Sequence, residues 1–197
     1  MRSFRRICIY CGSSSGNDPL YTVAAKRVGT YLAQLGIGIV YGGGRIGLMG
    51  TVANAALEAG GEVFGVIPHK LQELEVAHSK LTELFVVDSM HARKMVMAQL
   101  SDAFIALPGG FGTLDELFEV TTWTQLGYHA KPVGIVNIAG YFDPLLRYLD
   151  HACEAGFIRT PHRGILESAA TIEDLLPRLA EATLPDLRET LGQIPPP

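Results

Sequence analysis

The chain reads as an α/β protein, a doubly wound and mainly parallel sheet covered by helices on both faces. Three observations predict this. Strand-like runs alternate with helical stretches along almost the whole sequence. The runs over 37–41 and 103–107 are apolar throughout, not at every second residue, which implies strands buried on both sides. Hydrophobic residues make up 48% of the 197 residues and charged residues 18%, so the core can be large.

Taken in order, the first strand covers 6–10 and runs into Gly12-Ser-Ser-Ser-Gly16. A helical pattern over 20–35 follows. The second strand, 37–41, ends in Gly42-Gly-Gly-Arg-Ile-Gly47, and a helix covers 48–59. Strands over 63–67 and 84–87 come next, and the latter leads into a helix over 90–100. The fifth strand, 103–107, passes through Pro108-Gly-Gly-Phe-Gly112 into a helix over 113–126. A strand over 133–136 precedes a helix over 144–155, where Asp143 is the expected N-cap and Pro144 the first helical residue. A short strand at 165–166 and a helix over 172–181 close the pattern. Thr171 is expected to cap that helix and Pro177 to interrupt it. The connections are too short for a second domain. Residues 1–197 therefore read as one Rossmann-like three-layer domain, with a tail from about 186 expected to be flexible.

Composition excludes several function classes. The formal net charge is -4, and no Lys/Arg stripe appears, so nucleic acid is not an expected partner. Arg2, Arg5 and Arg6 read as a solvated strand entry. No run approaches ~18 consecutive apolar residues, so no membrane association is expected, and the polar first residues do not read as a signal peptide. Three cysteines, an odd number, speak against a disulfide framework and for a reducing cytoplasm. Cys8 and Cys11 form a C-x-x-C, but Cys8 lies within a strand, and the pair reads as buried packing.

Ligands of such folds sit beyond the carboxyl ends of the strands. Three glycine-rich loops fall there, after strands one, two and five, and together they make a pocket floor suited to close backbone approach. Gly42-x-Gly44-x-x-Gly47 matches the dinucleotide fingerprint, but the next strand ends in Pro68-His69, with no acid for a ribose hydroxyl. No glycine precedes a Lys-Ser or Lys-Thr, so a phosphate loop of the kinase type is absent. The loop after strand five differs. It opens onto a helix N-terminus, where the dipole and free N–H groups favour an anion. Glu116 follows within the first turn and shares a helix face with Glu119. The bland alternative is a helix start stabilised by acids, a role that suits Asp115 better than Glu116. Met90-His-Ala-Arg-Lys94 begins a helix at the same edge, where Arg93 offers a fork of donors for phosphate or carboxylate. Ser13 and its neighbours lack an evident base and read as hydrogen-bond donors from a loop. No histidine has metal-ligand spacing, and no metal is expected.

Pro108-Gly-Gly-Phe-Gly-Thr-Leu-Asp-Glu116 together with Met90-His-Ala-Arg-Lys94 resembles the LONELY GUY family of cytokinin-activating phosphoribohydrolases, whose hallmark is P-G-G-x-G-T-x-x-E. The flanks agree: Cys11-Gly-Ser-Ser, Tyr41-Gly-Gly-Gly, Gly47-Leu-Met-Gly50 and Trp123-Thr-Gln-Leu-Gly127. The likeness runs from about Ile7 to about Leu176. It implies hydrolysis of the N-glycosidic bond of an N6-substituted adenosine 5′-monophosphate, or of AMP, to the free base and ribose 5-phosphate. Arg93 and Glu116 are the implied catalytic pair, and Gly110, Gly112 and Thr113 the implied phosphate contacts. Glu75, Lys94 and Thr122 match further implied substrate contacts. Met90, Gly109, Phe111, Leu114 and Asp115, within the two motifs, and Ser13, Gly43 and Gly44, in the other glycine loops, complete the expected substrate site. Relatives also carry the label lysine decarboxylase, but nothing here marks a Schiff-base lysine, so no pyridoxal phosphate or other cofactor is expected. The family implies a homodimer or higher homo-oligomer. The helix over 90–100 is suited to that interface or, equally, to an internal core. The rival reading is a nucleotide-binding carrier module on the same fold, without catalysis.

Overall fold

The computed structural model describes residues 2–72, 78 and 80–185. The tail from about 186 and Glu75 lie outside the described residues. Seven strands form one sheet in the order β4-β3-β2-β1-β5-β6-β7, and every neighbouring pair is parallel. They are β1 (Arg6–Tyr10), β2 (Gly38–Tyr41), β3 (Val63–Pro68), β4 (Glu83–Val87), β5 (Ala103–Ala106), β6 (Val133–Val136) and β7 (Leu166–Ala169). The helices are α1 (Pro19–Gln34), α2 (Gly47–Glu58), α3 (His69–Gln72), α4 (Met90–Leu100), α5 (Phe111–Gln125), α6 (Asp143–Glu154), α7 (Thr160–Arg163) and α8 (Ile172–Glu181). Among the described residues no helix is long and apolar enough to cross a membrane.

The alternation of side chains along each strand feeds two cores. Ile7, Ile9, Ile39 and Ile105 face one side and pack under α1, α2 and α8. Cys8, Tyr10, Val40 and Phe104 face the other side and pack under α4 and α5. Tyr10 and Phe104 stack across β1 and β5 with their rings 6.1 Å apart. The five inner strands β3, β2, β1, β5 and β6 carry nearly unbroken apolar runs because both faces are covered. Edge strands β4 and β7 are only partly buried and accordingly include Glu83 and Glu167. Cys8 and Cys11, three residues apart, fall in opposite cores and are free thiols.

Four local departures from the sequence reading have physical causes. The single-turn helices α3 and α7 are too short to show a period. β7 extends to Ala169 because it pairs along β6 from Val133 to Val136, although its own letters are half polar. Asp143 does not cap α6. Its carboxylate accepts instead from Asn137 Nδ2 at 2.7 Å, and Phe142 occupies the cap position without a side-chain bond. Thr171 does cap α8, accepting from the Asp174 N–H at 3.2 Å, but Pro177 does not interrupt that helix. Ile172, Leu175 and Leu179 are buried against the sheet, and a Cβ on Gly134 would already meet Leu175 and Leu179 at 3.0 Å. Docking of this stripe outweighs the one hydrogen bond that proline removes.

Helices α1 and α2 pack closely at Gly29, where a Cβ would lie 2.3 Å from the Val52 carbonyl oxygen. Gly29→Leu is expected to force the two helices apart and cost about 1–3 kcal/mol, read as a lower urea midpoint; an unchanged midpoint would contradict this packing.

Candidate active site

Beginning at β1 the chain adds strands in one direction as far as β4, then returns to add β5 to β7 on the other side. The loops leaving β1 and β5 therefore diverge and open a crevice at the carboxyl ends of the strands. The two loops are tied at the base. Gly12 N–H donates to the Pro108 carbonyl at 3.0 Å, and Leu107 N–H to the Tyr10 carbonyl at 2.8 Å. A Cβ on Gly109 would lie 2.1 Å from Thr113 Oγ1 and 2.8 Å from the Gly12 nitrogen, so only glycine fits there. The loop after β2 packs against the same base: Gly47 has φ +63, and a Cβ there would strike Ser13 at 2.3 Å. The three glycine loops thus form one floor.

A cleft of about 230 Å³ opens above it. Its wall includes the start of α5, whose cap residue is Gly110 and which no side chain caps. The first turn borders the opening, and positions corresponding to Cβ on Gly110 and Gly112 meet nothing within 4 Å, so no neighbouring group covers the backbone there. Phe111 between them is 93% exposed, pointing out of the fold. An uncapped, glycine-walled helix N-terminus is receptive to an anion.

Arg93, on the first turn of α4, is only 5% exposed. Its Nη2 donates to the Gly42 carbonyl at 2.9 Å, and Nη1 lies 3.8 Å from Met90 Sδ. Its buried Nε has no partner, and no carboxylate forms an ion pair with it among the described residues. A Cβ on Gly42 would sit 1.9 Å from Nη2, so the guanidinium occupies the space that glycine leaves. A buried cation that none of the described carboxylates pairs with is costly and favours an incoming anion. Ser89, capping α4 through the Ala92 N–H at 3.1 Å, fixes the helix start that carries it.

Glu116 lines the same cleft. Burial pushes its carboxyl from the ordinary 4.5 up to about 7, against the opposing pull of the Arg93 charge; Asp115 and Glu119 push the same way as burial, and Lys94 resists. The acid is therefore near half-ionised at neutral pH. Cys11, also in the wall, is held as the neutral thiol by burial and by Glu116. Lys94 bridges Asp115 at 3.0 Å and Glu119 at 3.1 Å. Burial disfavours the charge of Lys94, but these two carboxylates outweigh it and raise its pKa.

Of the residues expected from the sequence, the structure brings Ser13, Met90, Arg93, Gly110, Phe111, Gly112, Thr113, Asp115 and Glu116 to the cleft. Gly109 lines an adjoining chamber of about 300 Å³. Five others do not reach the cleft. Lys94 is turned to its two carboxylates. Leu114 packs on the core beneath α5. Thr122 is exposed farther along α5. Gly43 (φ +79) and Gly44 are buried under the β2 loop, where the Gly43 carbonyl accepts from His78 N–H at 3.2 Å. Glu75 lies outside the described residues. Conversely, Gly42, Met49 and Cys11 were not among the expected site residues, yet Gly42 seats Arg93 and the other two line the wall. Their only signal was a place in the motifs that flank the two main ones.

Fold and cleft together define a Rossmann-like three-layer protein with an anion-receptive site at its switch point. Residues 49–179 match the protein family described as "Possible lysine decarboxylase". The cytokinin riboside 5′-monophosphate phosphoribohydrolase LOG of Oryza sativa subsp. japonica is 51% identical over 178 residues, covering 90% of this chain and 74% of the relative. LOG1 of Arabidopsis thaliana, which bears the same enzyme name, is 49% identical over 178 residues, covering 90% of this chain and 84% of the relative. The chain belongs to the LONELY GUY family. Among solved structures, the molybdenum cofactor binding protein of Rippkaea orientalis matches with a TM-score of 0.67 at 22% identity, over 90% of this chain and 95% of that one. The Moco carrier protein of Chlamydomonas reinhardtii matches at 0.66 and 20% identity, over 96% and 98%. These likenesses show the shared fold.

Two outcomes test the site without substrate. The native pKa of Glu116 lies above its ordinary value, so the folded state binds more protons, and this group's contribution to stability falls as pH rises from about 4.5 through about 7. Glu116→Gln is therefore expected to melt higher than the parent, by a margin that grows between about pH 5 and pH 8; a margin independent of pH would refute the raised pKa. Gly42→Ala is expected to displace the Arg93 guanidinium and lower stability by about 1–3 kcal/mol, measured by chemical denaturation.

Proposed function

We propose that this chain hydrolyses the N-glycosidic bond of N6-substituted adenosine 5′-monophosphates, releasing the free cytokinin base and ribose 5-phosphate, and acts likewise on AMP to release adenine. The observation that carries this is one cleft holding three things: an uncapped helix N-terminus, a buried arginine with no ion-pair partner among the described residues, and an acid poised near pH 7. The names of relatives about 50% identical over 90% of the chain support it.

In this reading the amides of Gly110, Gly112 and Thr113 hold the 5′-phosphate with the dipole of α5. Binding at the phosphate positions the sugar against Glu116 and favours the reacting geometry. As the C1′–N bond lengthens, positive charge develops on the ribose, and the ionised Glu116 stabilises it. Glu116 also orients water, whose oxygen bonds to C1′ while the bonding pair leaves with the base nitrogen. The water proton passes to the carboxylate and from it to the departing base, so that one water supplies both the hydroxyl on C1′ and the hydrogen on the base. Arg93 supplies a fixed positive charge beside these groups, which keeps Glu116 from being pushed still higher by burial. Among the described residues no lysine lines the cleft, and Lys94 is held as a cation by two carboxylates, so the decarboxylase description of the family finds no amine in position there.

The cytoplasmic location and homodimer also belong to the proposal. Three free cysteines are consistent with a reducing compartment. An apolar groove of about 420 Å³ between α4 and α5, walled by Met95, Trp123 and Tyr128, suits a second copy. Such a copy would also bring a neighbour to the exposed Thr122.

The test is chromatographic separation of products after incubation with AMP, isopentenyladenosine 5′-monophosphate and the corresponding nucleosides. Base and ribose 5-phosphate are expected from the monophosphates, with kcat/KM at least ~10²-fold above that for the nucleosides. Glu116→Gln should lower turnover ~10²–10⁴-fold. The free-enzyme profile should rise with pH through about 7 as Glu116 ionises. Saturable AMP binding with no product over hours would instead identify a carrier and overturn the hydrolase reading.

A further inference from the structure

The peptide between Gly109 and Gly110 raises a physical problem. Gly110 has no contact that a side chain could make, and two glycines in series leave the peptide plane between them weakly restrained. Yet the direction of its N–H decides whether the cradle works. The Gly110 carbonyl is held by the Leu114 N–H at 3.1 Å, and the Gly109 carbonyl is held by a group from outside the loop. Tyr141 Oη donates to the Gly109 carbonyl at 2.7 Å, across 32 residues of sequence.

Tyr141 is itself closely fixed. It follows a tight turn over Ile138–Gly140 in which Ala139 has φ 50 and ψ 30 and Gly140 has φ +71. Ala139 is the one non-glycine residue with positive φ among the described residues. Such strain persists where the surroundings over-determine it. They do so here. The Tyr141 N–H donates to the Ile138 carbonyl at 3.0 Å. Asn137 bridges the following residues, accepting from the Phe142 N–H at 2.8 Å and donating to Asp143 at 2.7 Å. The Tyr141 ring stands edge-on to Tyr21 at 5.6 Å and to Phe142 at 4.9 Å. The displaced role of Asp143, which binds Asn137 instead of capping α6, thereby acquires a purpose.

We propose that Tyr141 is a positioning residue of the nucleotide site, locking the Gly109–Gly110 peptide so that the Gly110 N–H is presented to the phosphate. In a trans peptide the carbonyl and the N–H point in opposite directions. Holding the Gly109 oxygen on the Tyr141 hydroxyl sends the Gly110 N–H away from Tyr141. Tyr141 walls only the chamber of about 300 Å³, whereas Gly110 borders both that chamber and the cleft containing Glu116. The donor is thus turned to the cleft side. This inference rests on the reading of the α5 N-terminus as the phosphate seat, and it adds a residue outside both motifs.

The test is Tyr141→Phe, which keeps the ring contacts and removes only the hydroxyl. In ¹⁵N-labelled protein without substrate, the Gly110 amide resonance is expected to shift or broaden, while the amides of β1 and β5 stay in place. Affinity for inorganic phosphate, titrated by calorimetry, should fall about tenfold, the equivalent of one lost hydrogen bond. In the turnover assay KM for the monophosphate should rise by a similar factor, more than kcat falls. Any change in melting temperature should be small, since a merely structural hydroxyl would move stability and leave phosphate affinity alone. An unmoved Gly110 amide, or phosphate affinity equal to the parent's, overturns the inference. Failure of the parent protein to cleave any nucleotide would remove the hydrolase reading and still leave the amide and phosphate measurements to decide the anchor.

Discussion

A positive charge is buried in the wall of the cleft with no ion-pair partner among the described residues, and the rest of the site is arranged around it. Arg93 rests on the Gly42 carbonyl in space that only glycine vacates. Removing such a charge from water is expensive, and a single neutral carbonyl repays little of the cost. The sheet meets the remainder through packing. β2 ends at Tyr41 and delivers Gly42 to the same place as the start of α4, because the strands on either side are locked into two cores. A fold less completely buried would let the guanidinium turn out to water, and the demand for an anion would disappear.

The same charge controls the acid. Burial alone drives Glu116 toward the neutral form, and two nearby carboxylates add to that drive. Arg93 and Lys94 oppose them and leave the group titrating near neutrality. Lys94 acts at one remove: by pairing with Asp115 and Glu119 it neutralises much of the surrounding negative charge. Its contribution to the site is therefore electrostatic within this chain. Stability and chemistry pull in opposite directions here, as expected where a group is poised for proton transfer. An acid in this cleft would be more comfortable protonated or solvated, and it is kept neither fully.

Much of the plan was legible from the letters because it depends on local periodicity. Apolar runs of four or five residues mark strands covered on both faces, and Pro-Gly-Gly-Phe-Gly-Thr marks a turn into an uncapped helix. The failures were those of long-range context. Pro177 read as a break and proved to be continuous helix, since docking of Leu175 and Leu179 decides the matter. Asp143 read as a cap and proved to be a partner of Asn137, since the turn over Ile138–Gly140 brings that amide within reach. Gly43 and Gly44 read as site residues and lie beneath the loop, while their neighbour Gly42 holds the arginine.

The sequence by itself determined the doubly wound sheet, the edge of it at which the glycine loops gather, and the helix start that carries Glu116. These follow from residue period, glycine placement and helix-end chemistry, all of which act over a few positions. Tertiary structure alone decided which of the neighbouring glycines makes room for Arg93, how far Glu116 is moved from its ordinary pKa, and that a tyrosine 32 residues away closes on the Gly109 carbonyl. Those outcomes depend on distances between segments remote in the chain. A pKa or a buried hydrogen bond is set by every group within a few ångströms, and no local pattern records which groups those will be.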